Sequence, residues 1–259
     1  MRLHRQFTVR RARILLADDL DLTRSVTADY LRSAHHVVTE VPDGEAAIAA
    51  AQKQDFDVIL TDMRMPVVNG LEVTRRIRVL PGHRGETPVV LVTADLAARE
   101  HVASGEDGVD LCLMKPFTRG ELLAAVTSAA LLGPARDAPS ASDPVPSASD
   151  PVLDETILGE MREYLSAAAF ATQLEAAEHR VCDLLALLEH PDGQADAAVR
   201  DAVHDLIGVS GLLGLSALSS RLREFDTAKD RQAPAFALRE AVIEAVKALR
   251  RQGNALAPG

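Results

Sequence analysis

This chain of 259 residues lacks the features that mark secreted, membrane-spanning and nucleic-acid-binding proteins. Its two cysteines, Cys112 and Cys182, are too few for a disulfide framework and indicate a reducing compartment. No apolar run approaches the roughly 18 residues of a membrane span, and the basic first residues lack the apolar stretch of a secretory signal. The formal net charge of -10 argues against a basic nucleic-acid-binding surface. We therefore expect a cytoplasmic protein that contacts neither membrane nor nucleic acid.

Short aliphatic runs alternate with amphipathic stretches through the first half of the chain. The runs lack period-two alternation, which is typical of strands buried on both faces of a parallel sheet. Asp43 and the pair Thr118 and Glu121 mark helix starts, the pair as a capping box. Five strands alternating with five helices predict a flavodoxin-like, doubly wound α/β domain with a parallel five-stranded sheet. The predicted strands are 13–17, 36–40, 57–61, 88–92 and 109–114, and the predicted helices are 21–34, 43–53, 70–79, 95–104 and 118–131.

The second half of the chain has a different character. A Pro-, Ser- and Ala-rich segment repeats PSASDPV in tandem, which predicts a solvated linker. Beyond it, apolar residues recur at helical spacing with breaks expected at 191–193 and near 233–234, which predicts an all-α antiparallel bundle of four or five helices. The predicted organisation is a basic tail (1–12), an α/β domain (13–132), a linker (133–151), a helical bundle (152–253) and a second tail (254–259).

Three carboxylates, a hydroxyl and an ammonium are predicted to meet at one edge of the sheet. Asp18 and Asp19 follow the first strand, Asp62 the third, Thr93 the fourth and Lys115 the fifth. The carboxyl ends of parallel strands line the edge at which ligands bind. A carboxylate cluster is unfavourable without a cation, and Mg2+ suits a site with few carboxylates and several waters. The chemistry that fits is phosphoryl transfer to Asp62, with Mg2+ and Lys115 neutralising the phosphoryl charge.

Residues 13–131 resemble the receiver domain of bacterial response regulators. The segments that carry the resemblance are ILLADD (14–19), ILTDMRMPVVNG (59–70), LVTA (91–94) and MKPF (114–117). The resemblance implies that Asp62 is the phosphoacceptor, that Thr93 is the switch hydroxyl and that Lys115 contacts the phosphate.

The same resemblance implies a set of metal ligands. Mg2+ would be bound by Asp19, by Asp18 through water, by Asp62 and by the backbone carbonyl of Arg64. This chain departs from the receiver pattern three residues before Lys115. Receivers usually carry a bulky switch residue at that position, and this chain carries Cys112. Either the coupling of phosphorylation to that face is altered, or Cys112 merely packs in the fifth strand.

A histidine in the helical half has unusual neighbours. His204 lies in AVHDLIGVSGLLG at 202–214, and on a helix it shares a face with Ile207, Gly208 and Gly211. Each glycine costs a helix roughly 1 kcal/mol relative to alanine. Close approach of a partner would compensate for that cost, and tight helix packing or a helix break would also explain the glycines.

The helical half, over residues 153–252, resembles the histidine phosphotransfer (HPt) family. The family pattern is roughly H-x-L-K-G followed by a glycine six residues later, and it matches His204, Leu206, Gly208 and Gly214. The resemblance implies that His204 is phosphorylated. The usual lysine is replaced by Ile207, which removes a cation that would assist an incoming phosphoryl group. An exposed imidazole is largely neutral near pH 7, so His204 remains a competent nucleophile.

These expectations describe a phosphorelay protein without the ATP-binding motifs of a kinase. Asp62 would accept phosphate from a sensor histidine kinase or an HPt protein. His204 would exchange phosphate with a receiver aspartate, either Asp62 across the linker or that of another protein. Two alternatives remain open: a bundle that the receiver sequesters or releases without being phosphorylated, and a phosphatase in which Asp205 orients water.

Overall fold

Five parallel strands form the sheet of the N-terminal half. The computed structural model describes residues 11–95, 107–132, 152–189, 195–228 and 232–256. The strands are β1 (Arg13–Ala17), β2 (Val37–Val41), β3 (Val58–Asp62), β4 (Val89–Thr93) and β5 (Leu111–Met114). They pair in parallel in the order β2-β1-β3-β4-β5, which confirms the predicted sheet. The order brings the carboxyl ends of β1 and β3 side by side.

The helices of this half begin where the sequence predicts. Asp43 caps the helix that begins at Gly44 by accepting a hydrogen bond from the Ala46 amide at 2.7 Å. The backbone amide of Thr118 donates to Glu121 Oε2 at 2.7 Å, as a capping box requires. The predicted helix at 95–104 lies outside the described residues apart from Asp95. The helices are α1 (Asp21–Ser33), α2 (Gly44–Lys53), α3 (Gly70–Arg78) and α4 (Arg119–Leu132), with a 3-10 turn at Gly82–Glu86.

Three of the predicted strands are displaced by one residue. The strands predicted at 36–40, 57–61 and 88–92 each begin and end one residue later, because backbone pairing continues past the apolar run. Asp62, for example, still pairs with Val92 across β3 and β4. Asp62 and Thr93 are therefore the last residues of their strands rather than the first residues after them.

Five helices are found among the described residues of the helical region, which extends from residue 152 to residue 256. They are α5 (Glu155–Tyr164), α6 (Ala167–Glu189), α7 (Ala195–Ser210), α8 (Ser216–Thr227) and α9 (Gln232–Leu256). Helix α9 packs on α6 and α8, and α7 also packs on α6 and α8. No helix among the described residues is long and apolar enough to cross a membrane.

Several predicted boundaries of the second half need correction. The break expected near 233–234 lies slightly earlier in the chain, because α8 ends at Thr227 and α9 begins at Gln232. Pro234 falls in the first turn of α9, where a missing amide costs no intrahelical hydrogen bond. The predicted tail at 254–259 begins inside α9. The predicted linker and the break at 191–193 lie outside the described residues, as do residues 1–10. Ala12, placed in the first tail, is buried and donates its amide to His36 Nδ1 at 3.2 Å.

The two halves share one apolar core. Helix α1 lies between the sheet and the helical region and contacts both α6 and α7. Leu22 and Val26 of α1 belong to the same buried cluster as Leu206 and Ile207 of α7. A separate cluster lies on the opposite face of the sheet under α2 and α3. The helical region is therefore docked on the receiver-like half through α1.

Candidate functional site

Three carboxylates converge at the carboxyl ends of β1 and β3. Asp18 and Asp19 follow β1, and Asp62 ends β3. Each of the three offers one oxygen, and these oxygens all lie within 4.8 Å of one another. Asp18 and Asp62 are buried, and Asp19 is half-buried. The predicted acidic site is thus assembled by the parallel pairing of two neighbouring strands.

Lys115 joins this cluster from the end of β5. Its ammonium lies 2.7 Å from Asp62 Oδ2 and 3.2 Å from Asp18 Oδ2, and the residue is only 2% exposed. Burial alone would lower the pKa of Lys115, but the charges of Asp18 and Asp62 outweigh it and raise that pKa. Lys115 is therefore a cation at any physiological pH. Burial also raises the pKa of Asp18, an effect that Lys115 opposes and Asp62 reinforces.

The remaining receiver-side groups surround the same point. The Arg64 amide donates to Asp62 Oδ1 at 3.3 Å. Thr93 is buried, and its hydroxyl accepts a hydrogen bond from the Asp95 amide at 3.0 Å. Gly70 lets the start of α3 pass close to the strand, because an added Cβ would lie 2.4 Å from the Asp62 carbonyl oxygen. Cys112 is half-buried in β5.

Helix α7 closes over the acidic cluster and brings His204 to it. A cleft of about 550 Å³ separates the two halves at this point. The sequence analysis named His204, and named Asp205 as the water-orienting residue of an alternative function, but it missed Asp201 on the same helix. The cleft is lined by Asp19, Leu20, Asp62, Met63, Arg64, Met65, Pro66, Asn69, Asp201, His204 and Asp205.

The glycines beside His204 meet the receiver-like half. A Cβ on Gly208 would lie 3.4 Å from Lys115 Nζ, and one on Gly211 would lie 2.4 Å from Pro116 Cβ. The expected close approach of a partner is confirmed, and the partner is the chain's own β5–α4 connection. The helix-break explanation also holds in part, because α7 ends at Ser210 and Gly211 follows it.

Polar contacts hold the docked halves together around the cleft. The Tyr30 hydroxyl donates to the Leu212 carbonyl at 2.8 Å, and Arg223 donates to the Lys115 carbonyl at 3.2 Å. The guanidinium of Arg119 lies 3.8 Å from the centroid of the Tyr164 ring. Sequence reasoning missed these residues, since each is an ordinary surface type on its own element until the other half covers it.

His204 is less accessible than the sequence suggests. The side chain is half-buried rather than exposed, and its Nδ1 is buried without a hydrogen-bond partner among the described residues. Burial lowers the pKa of His204 to about 4, with further lowering by the charges of Arg64 and Lys115. The imidazole is therefore neutral near pH 7 because burial and the nearby cations hold its pKa well below the ordinary value.

Asp205 and Ile207, which follow His204 on α7, lie in different environments: Asp205 is half-buried and Ile207 is buried. Burial raises the pKa of Asp205 to about 6, although Arg180 lies 3.6 Å from the carboxylate and opposes the shift. Ile207, at the position of the usual HPt lysine, is 1% exposed and packs in the core shared by both halves. An apolar side chain therefore fits this position because the position is buried in the folded chain.

Comparison with known proteins identifies the N-terminal half. The family model for the response regulator receiver domain matches residues 14–127. These residues, with their five-stranded parallel sheet and acidic cluster, form a response regulator receiver domain.

Relatives with this domain are signalling proteins of greater length. The chain is 29% identical to the sensory/regulatory protein RpfC of Xanthomonas campestris over 220 residues, which is 82% of this chain and 30% of RpfC. That alignment is too long to be confined to the receiver domain. The sensor histidine kinase RcsC of Salmonella typhimurium is 40% identical over 106 residues, 40% of this chain and 11% of RcsC. The chain thus spans less than a third of either relative.

A solved structure resembles the receiver domain. The receiver domain of sensor histidine kinase PA1611 from Pseudomonas aeruginosa, described with a magnesium ion coordinated in its active-site cleft, is 34% identical. The match covers 46% of this chain and 98% of that one, with a TM-score of 0.43.

Proposed function

We propose that this chain is a phosphorelay protein in which Asp62 and His204 exchange a phosphoryl group within one docked molecule. The observation that carries the proposal is that both side chains line the same cleft. A nucleophilic carboxylate on one wall and a neutral imidazole on the other are the two acceptors that such a relay requires.

The acidic cluster suits a hard divalent cation. Three carboxylates face one ammonium, which leaves an excess of negative charge and of oxygen donors, the ligands that Mg2+ prefers. We assign Mg2+ to Asp19, Asp62 and the Arg64 carbonyl, with Asp18 acting through water. When bound, the ion would neutralise charge on the phosphoryl oxygens and on the attacking carboxylate.

The receiver residues have separate roles in the proposed transfer. Asp62 attacks the phosphorus of a phosphohistidine, which belongs to a sensor histidine kinase, to an HPt protein or to this chain. The phosphorus–oxygen bond to Asp62 forms while the phosphorus–nitrogen bond breaks, and that electron pair stays on the imidazole. Lys115, already within 2.7 Å of Asp62, exchanges one carboxylate partner for a phosphoryl oxygen. The Thr93 hydroxyl donates a hydrogen bond to a second phosphoryl oxygen.

The exchange with His204 needs no other reactant. Because Nδ1 is buried, we take Nε2 as the ring nitrogen that faces the cleft. Its lone pair forms the phosphorus–nitrogen bond while the phosphorus–oxygen bond to Asp62 breaks, and that electron pair stays on the carboxylate. The Nδ1 proton remains in place, and the reverse reaction follows the same path.

A second candidate function is an interaction module that phosphorylation of Asp62 releases. The observation that favours it is Ile207, a buried apolar residue at the position where the HPt family carries a lysine. In this alternative the helical region covers the acidic cluster until a phosphoryl group on Asp62 disturbs the contacts of Lys115 with α7.

Chemical stability of the label separates these two functions. The full chain is incubated with Mg2+ and a labelled small acyl phosphate, beside Asp62→Ala, His204→Ala and the control His179→Ala, an exposed histidine of α6. We expect a base-stable, acid-labile label that requires both Asp62 and His204 and survives in the control. A base-labile label alone, on Asp62, would favour the interaction module, and the absence of any label on Asp62 would contradict both functions.

A further inference from the structure

Phosphoryl transfer between Asp62 and His204 requires positive charge along the whole path. The equatorial oxygens carry most of the negative charge in the transition state and must be neutralised by fixed cations. On the aspartate side this is done by Lys115, which is buried and held by Asp18 and Asp62. On the histidine side, Ile207 occupies the position at which HPt domains usually carry a lysine, so the helical region lacks that cation.

The cations of the helical region that lie near His204 are engaged elsewhere. Arg180 lies 3.6 Å from Asp205, and Arg223 donates to the Lys115 carbonyl at 3.2 Å. Among the residues that line the cleft, Arg64 is the one whose side chain is permanently cationic. The two cations that lower the pKa of His204, Arg64 and Lys115, both belong to the receiver domain, and Arg64 lines the cleft beside His204.

Arg64 is held at the cleft by its backbone and free in its side chain. Its amide hydrogen bond to Asp62 Oδ1 fixes the start of the loop after β3. The side chain is exposed, and within the described part of the chain its guanidinium forms no ion pair. Of the cations that lower the pKa of His204, Arg64 has the largest effect, which agrees with its position beside the imidazole.

We propose that the Arg64 guanidinium is a catalytic group that binds the phosphoryl oxygens in transit and on His204, in place of the lysine that Ile207 replaces. This inference rests on the proposed function. A planar guanidinium can bind two phosphoryl oxygens at once, which a lysine cannot do. Because Arg64 belongs to the receiver domain, phosphohistidine is stabilised only while the helical region is docked on its own receiver.

The test compares Arg64→Ala and Arg64→Lys with the matched control Arg76→Ala, an exposed arginine of α3 that pairs with Glu72. Each full chain is loaded with a labelled small acyl phosphate and Mg2+, and the base-stable and base-labile labels are followed in time. We expect Arg64→Ala to slow the appearance of base-stable label, relative to its own base-labile label, by about ten- to a hundredfold. Arg64→Lys should recover most of this loss, and Arg76→Ala should behave as wild type.

Loss of docking is a different outcome and is measured separately. Both tyrosines of the chain, Tyr30 and Tyr164, contact the opposite half, and the chain has no tryptophan, so near-ultraviolet circular dichroism reports docking. The proposal requires Arg64→Ala to keep the wild-type tyrosine signal. An unchanged label ratio in Arg64→Ala, or a ratio that Arg64→Lys does not restore, would overturn it. If wild type itself formed no base-stable label, the proposed function would fail instead.

Discussion

His204 and Asp205 are adjacent residues whose pKa values move in opposite senses. Burial beside two cations lowers the pKa of His204 to about 4, and burial raises that of Asp205 to about 6. In the docked chain near pH 7 the imidazole is thus neutral and ready to act as a nucleophile. The carboxylate is charged at some cost, which Arg180 reduces. Local sequence patterns do not indicate these shifts, because both arise mainly from burial, which depends on the tertiary packing around α7.

The pH dependence of stability follows from these two shifts. His204 has a docked pKa below its usual 6.5, so its contribution is complete above about pH 6.5 and is lost as pH falls toward 4. Asp205 acts in the opposite sense, because its raised pKa relieves a penalty as pH falls through about 6. The two contributions partly cancel in wild type.

Removing Asp205 exposes the contribution of His204. We expect Asp205→Asn to lose unfolding free energy between pH 6.5 and 4.5 relative to Asp205→Asn with His204→Gln, by about 1–2 kcal/mol after allowance for solvent screening. Urea unfolding of both variants across this range provides the measurement. A difference that does not change with pH would show that His204 is not held neutral by docking.

At the scale of elements, local patterns predicted the receiver domain well. Runs such as VILTD at Val58–Asp62 are buried on both faces, and the end of each strand depends on pairing that an apolar pattern does not record. The capping residues Asp43, Thr118 and Glu121 were identifiable because their hydrogen bonds are local. Convergence of the carboxylates on one edge followed from parallel topology alone.

Helix α7 is where local patterns were insufficient. Its residues 206–210 are all buried, whereas an amphipathic helix packed on one neighbour would expose some of them. The signal was present in the uninterrupted run Leu206–Ser210, which is apolar or small throughout. What the pattern could not identify was the receiver domain as a further neighbour beyond α6 and α8, since the receiver surface lies about 90 residues away in sequence at Lys115 and Pro116.

The fit of α7 against the receiver depends on the missing side chain at Gly211. We expect Gly211→Ala to weaken docking and to reduce base-stable label at least tenfold, because its Cβ would lie 2.4 Å from Pro116 Cβ. Asp62 should still form a base-labile label, since Asp18, Asp19, Asp62 and Lys115 all belong to the receiver domain and the core cluster under α2 and α3 does not involve the helical region. The measurements are the label assay and the tyrosine circular dichroism.

A matched glycine tests the effect of alanine itself. Gly159 lies in α5, and a Cβ there would meet open space. Gly159→Ala should leave docking unchanged and raise helix stability by about 0.5–1 kcal/mol. Wild-type docking in Gly211→Ala would mean that Pro116 moves readily, and the close fit would then have no role in the relay.

At the scale of the whole molecule, docking makes the two halves one reaction unit in the proposed relay. Each of three features needs both halves: the shared core, the Tyr30 hydrogen bond and the cleft lined by Asp62 and His204. Helix α7 forms one wall of the cleft, so in the proposed relay a donor protein would have to displace it. Exchange with sensor kinases or with other receiver proteins therefore requires the halves to separate, whereas internal exchange does not.

Intramolecular exchange is tested most directly by the concentration dependence of phosphohistidine formation. The full chain is loaded on Asp62 with a small acyl phosphate and Mg2+, and base-stable label is followed over a hundredfold range of protein concentration, about 0.1 to 10 μM. A docked Asp62–His204 pair predicts a first-order rate that does not change with concentration, and no base-stable label in a mixture of Asp62→Ala with His204→Ala. A rate proportional to concentration, or a mixture labelled as well as wild type, would contradict exchange within one docked chain.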